Sequence, residues 1–185
     1  MGRLALVSIL AITIVLAACG GSSGPELTIE EYFRQFEGIL SDAKADVEQQ
    51  YALATTTPAP EPRSDEERVA LARENYLAFI SLSDEYLGRL RDLNPPAEAR
   101  DGHKAYVEAA EESAERLRDS IMSSAFEEYV ISMQRAKTYE DIRAANDAFN
   151  DPGYAAVQDR LDEACRELKA LAAEHDLSFS QSCDD

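Results

Sequence analysis

Apolar residues return every three or four positions along most of this chain, and strand-like alternation is nearly absent, so the pattern predicts helices. The first is expected to open at Thr28, where Thr28-Ile29-Glu30-Glu31 fits a capping box with Glu31 three residues in. Its inward series is Ile29, Phe33, Phe36, Leu40, Ala43 and Val47, broadened by Tyr32 and Ile39, and it is expected to end near Ala54. The run Thr55 to Pro62, with prolines at 58, 60 and 62, cannot continue a helix. Ser64-Asp65-Glu66-Glu67 is a second capping box, opening a helix with the stripe Val69, Ala72, Tyr76, Phe79, Ser83, Tyr86, Leu90 and Leu93. Asn94-Pro95-Pro96 stops that helix and starts the next, and so short a turn predicts antiparallel neighbours.

From Ala97 the helical pattern runs through Tyr106, Val107, Ala110, Ala114, Leu117 and Ile121, then shifts phase at Ser123-Ser124 to Phe126, Tyr129, Val130 and Met133. Unbroken to Lys137 this helix would span about 60 Å against about 40 Å for the first, so a kink is expected near Ser123. Thr138-Tyr139-Glu140-Asp141 reads as another cap, leading into a short helix with Tyr139, Ile142, Ala145 and Phe149 inward. Asp151-Pro152 caps the last helix, whose inner face carries Val157, Leu161, Ala164, Leu168 and Leu171. The expected fold is therefore all-α: an antiparallel bundle of four long helices plus one short helix.

The segment before this pattern is of another kind. Arg3 is followed by a fifteen-residue apolar run, Leu4 to Ala18, with Ser8 and Thr13 its only polar members. As a helix it would reach about 22 Å, short of the ~30 Å hydrocarbon core, so it reads as an export signal rather than a permanent span. Its ending, Leu16-Ala17-Ala18-Cys19, resembles the lipobox of bacterial lipoproteins. That resemblance implies cleavage after Ala18, lipidation of Cys19, and attachment to the extracytoplasmic face of a membrane. Gly20 stands where an aspartate would retain many lipoproteins in the inner membrane, so in a diderm cell the outer membrane is also open. Gly20, Gly21, Ser22, Ser23 and Gly24 read as a flexible tether. The organisation expected is a signal peptide over 1–18, a lipidated tether over 19–27 and a helical domain over 28–185.

Charge narrows the partners. Removing Arg3 with the signal leaves 17 basic against 36 acidic side chains, a formal charge of −19. Nucleic acid and anionic lipid surfaces would repel such a domain, which leaves anchoring to the lipid.

With Cys19 lipidated, Cys165 and Cys183 remain, and an exported chain folds where thiols oxidise. Ten helical residues from Cys165 to His175 climb about 15 Å, and eight extended residues can return up to about 26 Å, so a disulfide pinning the C-terminal tail is feasible. Leu177, Phe179, Gln181 and Cys183 would share one side of that tail. A redox-active pair or a thiolate metal site is the alternative, although neither the C-x-x-C spacing nor further soft ligands accompany the pair.

Candidate chemistry elsewhere is sparse. His103 and His175 lack the Glu-x-x-His spacing of di-iron bundles; a surface position and a helix-end position are expected for them, with a metal or proton role conceivable for His103 beside Asp101. Glu108, Glu111, Glu112 and Glu115 lie on one side of a helix and could gather a divalent cation, but Lys104, Arg116 and Arg118 offset them. No G-x-S-x-G elbow or glycine-rich phosphate loop occurs, and no cofactor is expected. Leu93-Asn94-Pro95-Pro96 with His103, and Ala164-Cys165-Arg166-Glu167-Leu168 with Leu171, Ala172 and Cys183, resemble small helical lipoproteins of unknown function from high-GC bacteria. The resemblance implies a cell-surface helical domain with a C-terminal disulfide and carries no activity. Two readings follow: a non-enzymatic anchored module that binds a protein or envelope partner, and a lipoprotein that binds a small ligand or a divalent cation.

Overall fold

Local capping signals set most helix starts in the computed structural model, which describes residues 24–56, 64–149, 151–181 and 183. These residues form six helices: α1 (Ile29–Thr56), α2 (Asp65–Arg91), α3 (Arg100–Met122), α4 (Ser124–Arg135), α5 (Tyr139–Phe149) and α6 (Pro152–Glu174). Before α1, the Glu31 carboxylate accepts from the Thr28 N–H at 3.1 Å while Thr28 Oγ1 accepts from the Glu31 N–H at 3.3 Å, the reciprocal pair of a capping box. Ser64 Oγ accepts from the Glu67 N–H before α2, Thr138 Oγ1 from the Asp141 N–H before α5, and Asp151 Oδ1 from the Gly153 N–H in α6. Each satisfies an amide that the first helical turn leaves without an intrahelical partner.

The cross-helix contacts run in opposite directions along the chain. Asp42 and Asp46 of α1 meet Arg89 and Tyr86 of α2. Arg91 and Asp84 of α2 meet Glu111 and Arg118 of α3, and Ser113 and Arg116 of α3 meet Gln158 and Asp151 around the start of α6. Two cores result. The larger joins Tyr32, Phe33, Phe36 and Ile39 of α1 to Tyr86, Leu87 and Leu90 of α2, Val107 of α3, and Leu168 and Ala172 of α6. The smaller joins Val69 and Ile80 of α2 to Ile121 of α3 and to Phe126 and Val130 of α4, with Phe149 of α5 against it. Phe36 and Phe126, both fully enclosed, anchor one core each, and burial of such rings contributes about 2–3 kcal/mol apiece.

The long third segment breaks at Ser123, in extended conformation at φ −79° and ψ 165°, so α3 and α4 are separate helices and the described residues hold six helices where five were expected. Ser123 Oγ donates to the Ser120 carbonyl at 2.6 Å, diverting an acceptor from the helical ladder. Arg73 of α2 holds the break. Its Nε donates to the Ile121 carbonyl at 3.1 Å, its Nη2 pairs with Glu127 at 3.1 Å, and its guanidinium lies 5.9 Å from the Phe126 ring centre.

Several expected inward positions face out. Val47 is exposed and Tyr139 is 80 % exposed, while Ile142, Tyr76 and Ser83 also sit at the surface. α1 packs chiefly on α2, leaving Val47 on an open side, and Tyr139 opens a short helix whose buried contact is made a turn and a half later, at Ala145. On α2 the stripe turns, because Ile80 serves one core and Leu87 the other. α3 starts at Arg100 rather than Ala97, since a tight turn with the Ala99 N–H on the Pro96 carbonyl at 2.9 Å comes first.

The tail returns as its alternation suggested. α6 ends with Asp176 in the left-handed region at φ 56°, the Leu177 N–H bonding back to the Ala172 carbonyl at 2.9 Å and the Asp176 N–H to Ala173 at 3.2 Å. That is a Schellman ending built on aspartate where glycine is usual. Leu177 and Phe179 then pack on the larger core, Phe179 edge-on to Phe33 at 5.8 Å, while Ser178 and Ser180 face outward.

Candidate functional site

Cys19 and the signal over 1–18 lie outside the described residues. The first described residues are held to the domain. Asn94, in the turn between α2 and α3, donates from Nδ2 to the Gly24 carbonyl at 2.9 Å and accepts at its own carbonyl from the Leu27 N–H at 3.0 Å. Arg100 pairs with Glu26 at 3.1 Å, and His175 at the end of α6 pairs with Glu98 at 3.3 Å. The start of α1, the end of α2, the start of α3 and the end of α6 thus meet at one end of the molecule. Residues 24–27, expected in the tether, belong to the folded part.

His103, expected at the surface, is buried with 7 % of its area exposed. Tyr32 Oη lies 3.2 Å from Nδ1, and the Leu90 carbonyl bonds the ring as well. The Leu90 carbonyl only accepts, so the ring donates to it, and the tautomer decides whether Nδ1 accepts from the tyrosine hydroxyl or donates to it. Burial pushes the imidazole below its ordinary value, against a smaller upward pull from the Leu90 bond, and burial raises the Tyr32 hydroxyl. Bonded to Tyr32 and to the Leu90 carbonyl, with Tyr32 and Phe36 edge-on to its ring, His103 ties α1, α2 and α3 together.

Glu108, Glu111, Glu112 and Glu115 do lie along one face of α3, where a shallow acidic depression also includes Asp119 and Arg116. The face is answered by cations. Lys104 pairs with Glu108, Arg91 with Glu111, and both Arg160 and Arg116 with Glu112. Arg160 first, then Arg116, hold the Glu112 carboxyl below the usual carboxylate range. Among the described residues no three His, Cys, Asp or Glu side chains converge as a metal would need.

Cys165 and Cys183 come together as expected, with sulfurs 2.14 Å and Cα atoms 5.5 Å apart, both nearly inaccessible. A feature absent from the sequence reading is a cleft of about 350 Å³ between α3, α5 and α6, lined by Leu117, Ser120, Asn146, Phe149 and Tyr154 with Asp147 and Asp151 at its polar side. It forms where Phe149, at the end of α5, comes against the smaller core, a placement set by long-range packing that no local motif announces. Among the described residues no helix is long and apolar enough to cross a membrane. Comparison with protein-family models, curated proteins and solved structures finds no match to this chain.

Proposed function

We propose that this chain is a lipoprotein cut between Ala18 and Cys19, lipidated on Cys19, and held on the extracytoplasmic face of a membrane. In this reading α1, α2, α3 and α6 form a four-helix antiparallel bundle, with α4 and α5 as a shorter pair at its far end. The module is non-enzymatic and acts by binding a protein or another envelope component. The observation that carries the reading is the allocation of the three cysteines. Cys165 and Cys183 stand at disulfide distance, which suits an oxidising compartment, and the third, Cys19, is the one in the lipobox.

Replacing Cys19 tests the anchor. Cys19→Ala moves the protein from the membrane fraction to the soluble fraction with its thermal unfolding unchanged; a variant that still sediments with membranes contradicts the reading. Crosslinking in the native membrane, followed by identification of the attached protein, tests the partner. The cleft beside Phe149 and Tyr154 favours one alternative, a lipoprotein that binds a small ligand. A ligand there at a hundred times its dissociation constant would add about 2.7 kcal/mol to stability.

A further inference from the structure

We infer that the helical domain stands end-on to the membrane, with the end formed by Gly24–Leu27, the 94–99 turn and the cap of α6 facing the phospholipid headgroups. The inference rests on lipidation of Cys19 and deepens that reading by naming the surface the lipid bilayer meets. Its observation is the double clamp of Asn94 on Gly24 and Leu27, reinforced by Arg100 on Glu26. Without the clamp, nine residues would separate Cys19 from α1 at Ile29, and the domain could tumble. With it, the chain is fixed from Gly24 onward, and the five steps back to Cys19 reach at most about 18 Å even when fully extended.

The far end lies beyond that reach. α2 runs from the clamp to Asp65, about 39 Å away along its axis, and Arg135 of α4 is bound there to Asp65 at 2.6 Å. A domain whose attachment is at one tip, on so short a leash, can bring its far end to the membrane only by lying down. Charge opposes that. The sides carry Glu115 and Asp119 on α3 besides Asp42 and Glu108, which Arg89 and Lys104 answer, and the domain as a whole is net −19, so an anionic bilayer repels a side-on approach. The tip carries fewer such groups: Glu26 is paired with Arg100, Glu98 lies 3.3 Å from His175, Pro96 and Ala97 add no charge, and Asp92, Asp101 and Asp176 remain exposed around it. The outward end then presents α4, α5 and the cleft beside Phe149 to whatever the module binds.

The test uses the full lipidated chain extracted from its membrane and reconstituted into vesicles of phosphatidylcholine and phosphatidylglycerol with spin-labelled headgroups. Single labelling sites are introduced as Ala97→Cys at the clamped end and Glu66→Cys at the first turn of α2; both positions are exposed. A fluorophore at position 97 is expected to be quenched several-fold more than one at position 66. Equal quenching, or stronger quenching at 66, overturns the orientation. A flexible insertion between Ser23 and Gly24 is expected to shrink the difference, and a difference that survives a long insertion shows that the leash does not set it and overturns the mechanism. Flotation of the same vesicles separates the two failures: protein that does not float with lipid overturns the anchor, and the orientation with it.

Discussion

The hydrogen bond between Tyr32 and His103 fixes three helices through one buried contact, and its loss has a calculable cost. His103→Leu keeps an apolar side chain of similar size in place but leaves the Tyr32 hydroxyl without its acceptor, while the Leu90 carbonyl keeps the Leu93 N–H as a donor. An enclosed hydroxyl stripped of its partner costs about 1–3 kcal/mol. For a domain of this length each kcal/mol lowers the midpoint by about 2–4 °C, so a cost near the middle of that range, about 2 kcal/mol, lowers it by about 4–8 °C in a thermal melt followed by circular dichroism. Tyr32→Phe leaves Nδ1 unanswered and is expected to cost about 1 kcal/mol. The double variant leaves no unpaired partner at either ring, so its cost falls short of the sum by about 1 kcal/mol. Costs that simply add to within ~0.3 kcal/mol would show that the two groups do not interact, and the account of His103 as a tie between helices would fail.

The same residue predicts a pH dependence. Burial depresses the imidazole in the folded chain below the ordinary 6.5 it keeps when unfolded. As pH falls through 6.5 the unfolded chain takes up a proton that the folded chain refuses, so this part of the stability is complete above 6.5 and is lost toward the depressed folded value. The advantage of the wild type over His103→Leu therefore shrinks on acidification from neutral pH, and an advantage that stays constant refutes the assignment. Asp176→Gly relieves a left-handed aspartate in the Schellman ending and is expected to raise stability by about 0.5–1 kcal/mol in urea unfolding. Replacing Cys165 and Cys183 together by serine opens an 18-residue link and is expected to cost about 3 kcal/mol, with faster proteolysis of the tail beyond His175. Ser64→Ala removes the cap of α2 and is expected to cost about 1 kcal/mol.

Which parts of the fold were legible in the sequence follows from the range of the interactions involved. Thr28, Ser64, Thr138 and Asp151 cap helices because a cap needs only residues two or three positions away, and such signals survive in a linear reading. The tail was legible for the same reason, since a period of two placed Leu177, Phe179 and Cys183 on one side and a single turn returned them to α6. His103 was not, because its burial depends on Tyr32, 71 residues earlier, and on a carbonyl of α2 that no side-chain pattern marks. Val47 and Tyr139 continue an apolar rhythm past the point where a neighbouring helix covers it, so periodicity alone placed them inside. Arg73 reads as one more surface cation until Ile121, Phe126 and Glu127 are brought around it. The four glutamates of α3 share a face as expected, yet the arginines that answer two of them come partly from α2 and α6, which spacing along one helix cannot reveal.

The lipid anchor is the claim on which the location and the end-on orientation both depend. Mass spectrometry of the N-terminal peptide from protein extracted out of its native membrane tests it most directly. The account predicts a chain that begins at Cys19, lacks residues 1–18, and carries the mass of two or three acyl chains on that residue. A chain that retains Met1 to Ala18, or that begins at an unmodified Cys19, would contradict it.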